Sequence, residues 1–273
     1  MKTQFQALPL VGISALLSFS AQGATSITYN FESQSDGDLF AGDVAGWTQD
    51  QPNLVAFGTT FPLGYIASSN FSGVPTNAGH LGTQRANTPD NASTTLTGVL
   101  GLSGIVGPTD IPQVNLNLAI IDNPGDVFAG RDAFSVVVKS GAGAVMAEID
   151  FTPTSGVEQF WDISAGISGS SSATALKAQA GQGYLFNINF GASETSFSLA
   201  GSGGVIPNTV FLTSAALAVT DFGTIEIIHN PLAPVGTSAN TLTFDNVQAS
   251  IPEPSGVALL LLGSLGLLGR RRS

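Results

Sequence analysis

Apolar and polar side chains alternate with a period of two in several separate segments of residues 24–250. Successive side chains of a β-strand point to opposite faces of the sheet, so this alternation indicates strands with one buried and one polar face. No helical periodicity persists over three turns in the same region. The clearest alternating segments are 134–139, 145–151, 184–190, 224–228 and 241–247. The pattern therefore predicts an all-β domain.

Turns are frequent between these segments. The chain has 33 Gly and 14 Pro among 273 residues, and clusters such as Asn123-Pro124-Gly125 read as turns. Further strands are predicted at 26–31, 54–57, 64–71, 94–100 and 114–121. About a dozen to fifteen strands suit a two-sheet antiparallel β-sandwich or jelly roll. The one Ser/Gly-rich segment, 168–173, is too short for an interdomain linker, so residues 24–250 are predicted to form a single domain.

Several short segments within this domain occur in an order that is also found in a known class of β-sandwich. They are 29–32, the pair Gly46-Trp47, 79–82, the hairpin 134–151 and a last strand ending at Phe244-Asp245-Asn246-Val247. This order resembles concanavalin-like or LamG-like jelly rolls, many of which bind sugars. The resemblance implies a two-sheet sandwich, for which we expect a structural or adhesive role, with a carbohydrate-binding module as the alternative. A galactose-binding-like or other jelly roll is the alternative.

Residues 1–23 predict a secretory signal peptide. Lys2 is basic, residues 7–19 are mostly apolar, and the small residues Ala21 and Gly23 occupy the −3 and −1 positions of a cleavage site after Gly23. The apolar stretch is too short to span the ~30 Å hydrocarbon core of a bilayer. We therefore expect a cleaved signal helix, rather than an uncleaved anchor or a buried N-terminal helix.

The segment 251–273 combines three features in a fixed order. A Pro-Glu-Pro tripeptide comes first, then fourteen uncharged residues at 256–269, then a basic triplet. The residues of the tripeptide and triplet are Pro252, Glu253, Pro254, Arg270, Arg271 and Arg272. A helix of fourteen residues is about 21 Å long, which is short of the hydrocarbon core. The prolines keep the approach extended, and the arginines favour the cytoplasmic side.

This arrangement resembles the PEP-CTERM sorting signal of Gram-negative bacteria. Pro252, Glu253 and Pro254 match the tripeptide, 257–268 match the hydrophobic helix, and the basic triplet matches the tail, while Gly256 replaces the more usual Thr. The resemblance implies export through the secretion translocon and an inner-membrane precursor. It further implies processing by an exosortase-type membrane protease and delivery to the outer surface or extracellular matrix, where exopolysaccharide is a candidate partner. An ordinary single-pass tail anchor is the alternative.

Charge and cysteine content exclude several classes of function. The chain has 8 Lys+Arg against 19 Asp+Glu, a net charge of −11 and no Cys. Nucleic-acid binding requires clustered basic side chains, so no nucleic-acid partner is expected. The absence of Cys rules out disulfides, thiolate metal sites and thiol nucleophiles. Without both targeting segments the mature domain has a net charge near −14.

No catalytic motif is evident. Gly101-Leu102-Ser103-Gly104 is one residue short of a nucleophile elbow, and nothing in the sequence places His80 and His229 together. Glu158 and Asp162 share a strand face but lie roughly 13 Å apart, too far for a pair of catalytic carboxylates. We therefore expect a non-enzymatic protein, with glycoside hydrolase as the less favoured alternative.

Two further sites are considered. Asp36, Asp38 and Asp43 follow the first strand and could offer oxygens to Ca²⁺, although Asp in turns is common for backbone reasons alone. Calcium is therefore the one candidate cofactor. Trp47, Tyr65 and Trp161 are the aromatic side chains able to stack on a sugar, and core burial is the competing explanation; Trp47 and Trp161 are the predicted ligand contacts.

Overall fold

The computed structural model describes residues 25–50, 53–56, 59–71, 74–82, 93–104, 106, 110–122, 131–155, 159–201, 209–232 and 240–252. These residues form seventeen β-strands, all paired antiparallel, in two large sheets and one small hairpin. The predicted all-β, two-sheet antiparallel sandwich is therefore confirmed. The predicted signal and sorting helices lie outside the described residues. Within the described part of the chain, no helix has the length and apolar character needed to cross a membrane.

One sheet has eight strands in the spatial order β15-β14-β13-β8-β17-β6-β5, and β1 pairs with the far half of β17. Its strands are β1 (Thr25–Tyr29), β5 (Gly64–Phe71), β6 (Val74–Gly82), β8 (Gln113–Asp122), β13 (Gly183–Phe190), β14 (Glu194–Gly201), β15 (Thr209–Ala215) and β17 (Asn240–Ile251). Half of the neighbouring pairs in this order are distant in the sequence, and two of these involve β17. The last strand of the domain is thus central, not peripheral.

The second sheet has seven strands in the order β12-β11-β10-β9-β16-β7-β2. They are β2 (Trp47–Gln49), β7 (Thr94–Ser103), β9 (Ala133–Lys139), β10 (Val145–Pro153), β11 (Phe160–Ile167), β12 (Ser170–Gln179) and β16 (Asp221–Asn230). The remaining strands, β3 (Asn53–Ala56) and β4 (Thr59–Pro62), form the small hairpin.

The core lies between the two large sheets and is built from alternate residues of each strand. Val136 on β9 faces Ile149 on β10 and Ile227 on β16, and all three are completely buried. Phe186 of the eight-stranded sheet meets Phe151 of the seven-stranded sheet edge to face, with ring centroids 5.6 Å apart. The period of two in the sequence therefore identified the inward faces correctly.

A cluster of aromatic rings packs in the core beside β1. Trp47 packs against Phe31, Phe40 and Phe244 with ring centroids 5.4–6.0 Å apart. Gly98 lies directly beneath the indole, because a Cβ atom at this position would come within 2.8 Å of the Trp47 ring. Only a glycine allows β7 to approach the ring so closely.

Two local predictions differ from the structure. The Ser/Gly-rich segment considered as a linker contains a two-residue hairpin turn: Ser168 and Gly169 both have positive φ, as in a type I′ turn, and β12 begins at Ser170. The last strand does not end at residue 247. It bulges after Asp245, where Asn246 has a φ of 49°, and continues to Ile251 because its second half pairs with β1.

Candidate functional site

The outer face of the seven-stranded sheet carries a row of acidic residues on neighbouring strands. Glu148 on β10 is paired with Val137 on β9, which is paired with Glu226 on β16. Asp150 follows Glu148 on the same face of β10. We call Glu148, Asp150, Glu226 and Lys139 the acidic face. Strand spacing places the backbones of Glu148 and Glu226 about 10 Å apart, and those of Glu148 and Asp150 about 7 Å apart.

Hydrogen bonds orient the side chains of the acidic face. The ammonium group of Lys139 lies 2.6 Å from Oε1 of Glu226, and the hydroxyl of Ser164 donates to Oδ2 of Asp150 over 3.3 Å. Val137 points outward between these groups, yet only 7% of its surface is exposed. The acidic groups therefore flank a shielded apolar centre.

Glu148 is the electrostatically distinct member of the acidic face. Burial raises the pKa of its carboxyl, and the nearby charge of Asp150 raises it further, while a hydrogen bond from Ser171 acts in the opposite direction. Carboxylates of this kind accept hydrogen bonds from hydroxyl groups, and Lys139 supplies a donor. The face can therefore bind a neutral polyhydroxyl ligand through several directed hydrogen bonds.

The sequence analysis did not identify the acidic face. The alternation in Glu148-Ile149-Asp150 was a signal for half of it, because it puts both carboxyls on the polar side of a strand. Glu226 also lies on the polar side of an alternating segment, 224–228, but its place in the same row had no signal, since that pairing joins strands about 80 residues apart in the chain.

A buried polar cluster supports one end of the sandwich. The Nε2 atom of His229 lies 3.0 Å from Oδ2 of Asp132, and neither side chain has exposed surface. Oδ1 of Asp132 accepts a hydrogen bond from the backbone N–H of Leu232, and its backbone carbonyl accepts the indole N–H of Trp161. His80 lies in the other sheet, stacked on Tyr65. The two histidines thus occupy different sheets.

A groove of about 590 Å³ opens at the opposite end of the sandwich. A second recess of about 390 Å³ continues it, and both are lined by Asp110, Gly191 and Ala192. Phe190 and Val219 contribute apolar walls, so the groove has few polar groups to fix a ligand.

The predicted calcium residues lie in turns, where two of them already bind backbone groups. Oδ2 of Asp38 accepts the N–H of Ser35 over 2.7 Å, and Oδ2 of Asp43 accepts the N–H of Leu39 over 2.9 Å. Asp36 lies in the same loop, two residues before Asp38. Among the described residues, no group of three or more His, Asp or Glu side chains is arranged to hold a metal ion. The turn geometry accounts for two of these carboxylates, and the calcium site stays a prediction.

The two tryptophans belong to the core, which corrects their predicted role as ligand contacts. Only 4% of Trp47 and none of Trp161 is exposed. Trp47 is enclosed by the aromatic cluster, and the guanidinium of Arg131 lies over the ring of Trp161 at 5.8 Å from its centroid. Neither indole has a free face for a sugar ring. Tyr65 is buried as well, at 6% exposure.

The other predicted residues are placed only in part. Asp162 forms an ion pair with Lys177 on the outside of the sheet, and Glu158 lies outside the described residues. Pro252 directly follows β17. The remaining sorting residues (Glu253, Pro254, Arg270, Arg271 and Arg272) and the cleavage residues Ala21 and Gly23 also lie outside the described part of the chain.

Comparison with known proteins shows the fold and no family. No family model matches the chain, and no curated protein matches it. Among solved structures, the CBM2 module of the evolved Dit of Lactobacillus casei BL23 phage J-1 is 14% identical, covers 85% of this chain and 99% of its own, and has a TM-score of 0.50. The carbohydrate recognition domain of Emp47p (6% identity, coverage 86% and 99%, TM-score 0.47) also matches. So does basic winged bean lectin with Tn-antigen (7%, 85% and 100%, 0.48).

The structure shows that the described part of the chain is an all-β, two-sheet antiparallel sandwich. Its fold is similar to that of the CBM2 module. At this level of identity the likeness concerns the fold alone.

Proposed function

We propose that the chain is the precursor of an exported cell-surface or extracellular-matrix protein with a structural or adhesive, non-catalytic role. In this proposal residues 1–23 are a signal peptide and 251–273 are a PEP-CTERM sorting segment. The tail pauses in the inner membrane, an exosortase-type protease removes it, and the sandwich is released to the surface.

The observation that carries the proposal is where the strands begin and end. β1 starts at Thr25, two residues after the predicted signal cleavage site, and β17 ends at Ile251, directly before the Pro-Glu-Pro tripeptide. Apart from Ile251, the last residue of β17, the described strands of the sandwich therefore use neither targeting segment. Both segments can be removed without taking a strand from either sheet.

Substitutions in the tripeptide test the sorting role. Replacing Pro252 and Pro254 together by Ala should leave membrane insertion intact and block processing, because an extended approach is lost. The precursor should then accumulate in the inner-membrane fraction on immunoblots. Ser255→Ala, in the adjacent residue, is the matched control and should be processed normally. Normal processing of the double variant would contradict the proposal.

A second candidate function is carbohydrate binding in the surface matrix, and the acidic face favours it. Glu148, Asp150 and Lys139 offer acceptors and a donor around a shielded apolar residue, which suits the hydroxyls and C–H groups of a sugar. The similarity in fold to a CBM2 module adds support.

Glycan binding by paired variants tests this second function. A glycan array followed by calorimetry should show binding that Asp150→Asn weakens about tenfold, since a hydrogen bond to a charged group is worth roughly 1.5–3 kcal/mol. Asp162→Asn is the control, because Asp162 faces outward on the same sheet but belongs to a separate ion pair with Lys177. An array without signal would leave the purely structural role. Release of reducing sugar from a bound glycan would instead identify a glycoside hydrolase.

A further inference from the structure

We infer that the end of the sandwich carrying Thr25 and Ile251 faces the inner membrane while the precursor awaits processing. The groove lies at this end, and the buried Asp132–His229 cluster lies at the far end. The inference rests on the proposed sorting function and adds an orientation to it.

Both predicted membrane segments join the sandwich at one place. Thr25 at the start of β1 lies directly opposite Ile251 at the end of β17. Directly paired residues in antiparallel strands have Cα atoms about 5 Å apart. The chain therefore enters from the signal peptide and leaves toward the sorting helix through neighbouring positions on the same end.

The connection to the sorting helix is short. Ile251 is completely buried and its side chain packs beside Gly104, so Ile251 is the last position anchored in the sandwich. Five residues, 252–256, span at most about 17 Å even when fully extended. The headgroup layer of one leaflet occupies roughly 6–7 Å of that length. The end of the sandwich is therefore held within about 10 Å of the membrane surface.

The short connection 252–256, and not affinity for lipid, holds this end of the sandwich at the membrane. Asp110 lines the groove and Glu194 lines the recess that continues it, and an acidic rim is repelled by anionic headgroups. Cutting the tail should therefore release the domain at once.

Two positions distinguish the ends in an experiment. Ala216 is exposed beside the groove. Leu232 lies two residues after the end of β16 and is 59% exposed at the far end. The ten residues of β16 separate these ends by roughly 30 Å. Because the chain has no Cys, A216C and L232C each provide a single labelling site.

The test measures how close each label lies to lipid. The full-length chain of each variant is labelled with a fluorescent maleimide and reconstituted into phosphatidylcholine vesicles containing a headgroup nitroxide. We expect quenching at least about threefold stronger for A216C than for L232C, because the label at position 216 lies near the headgroups and the label at position 232 lies roughly 30 Å farther from them. Equal quenching, or stronger quenching of L232C, in chains that float with the vesicles would overturn the orientation. Chains that fail to float with vesicles would overturn the sorting proposal itself.

Discussion

His229 and Asp132 form a hydrogen-bonded pair with 3.0 Å between Nε2 and Oδ2, and both side chains are completely buried. The pair joins the end of β16 to the residue before β9, almost a hundred positions apart in the chain. Asp132 also binds the backbone of Leu232 and the indole of Trp161. A single carboxylate residue thus organises one end of the sandwich.

Removing that carboxylate should destabilise the domain strongly. Asp132→Ala leaves the buried His229 and the Leu232 N–H without their common acceptor, which should cost about 3 kcal/mol or more. Asp162→Ala removes a carboxylate from an exposed ion pair and should cost less than about 1 kcal/mol. Urea unfolding of both variants measures the difference. Similar midpoints would show that the buried pair is not a structural requirement.

The closest approach in the core gives a second prediction. Gly98→Ala would push a methyl group into the Trp47 ring and should lower the free energy of unfolding by about 1–3 kcal/mol. Gly42→Ala is the control, because a Cβ atom there has no neighbour within 4 Å. Thermal unfolding followed by near-UV circular dichroism reports the Trp47 environment directly. A Gly98→Ala variant as stable as the control would contradict the packing of the aromatic cluster.

The alternation and the turn signals predicted ten of the seventeen described strands, most of which have one apolar face. They missed β14, although much of it is buried, and β12, whose residues are largely exposed on both faces and therefore carry no alternation. The order of the strands in each sheet could not be predicted from the sequence either. For example, β8 lies between β13 and β17, and tertiary packing decides such distant pairings. For the same reason the acidic face could be predicted only in part, through Glu148 and Asp150 on one strand.

Tryptophan exposure was the least predictable property of the candidate site. The residues around Trp47 in the sequence indicate a turn, which favours an exposed ring. The structure buries the ring because Phe31, Phe40 and Phe244 reach it from other segments. A single sequence does not show which distant segments contact one another in the fold.

Acid should weaken the domain through His80. Burial lowers the pKa of His80 to about 4, while a backbone hydrogen bond at Ala67 and the charge of Asp36 partly oppose this effect. The unfolded chain, with an ordinary pKa near 6.5, therefore takes up the proton first as the pH falls. The free energy of unfolding should decrease between about pH 6.5 and pH 4, by up to about 3 kcal/mol.

A non-titrating ring isolates this effect. His80→Phe preserves an aromatic partner for Tyr65, and its stability should lack this part of the pH dependence. Urea unfolding of both proteins at several pH values gives the difference curve. A flat difference between pH 7 and pH 4 would mean that His80 is not protected from protonation.

Chelation tests the calcium hypothesis for Asp36, Asp38 and Asp43. Two of these carboxylates already bind backbone N–H groups, so we expect an unchanged melting temperature in excess EDTA. A bound ion would stabilise the native state by mass action, and its removal would lower the melting temperature. A fall that added Ca²⁺ reverses would establish the site.

The sorting account makes its most direct prediction about the C-terminus of the surface protein. The fourteen residues at 256–269 span a bilayer only with local thinning, so they suit a temporary membrane segment better than a lasting anchor. Intact-mass spectrometry of protein released from the cell surface measures the outcome. The account predicts a species that starts at Ala24 and lacks the residues after about Pro254. A surface species that still carries Arg270, Arg271 and Arg272 would contradict it and identify the tail as an ordinary anchor.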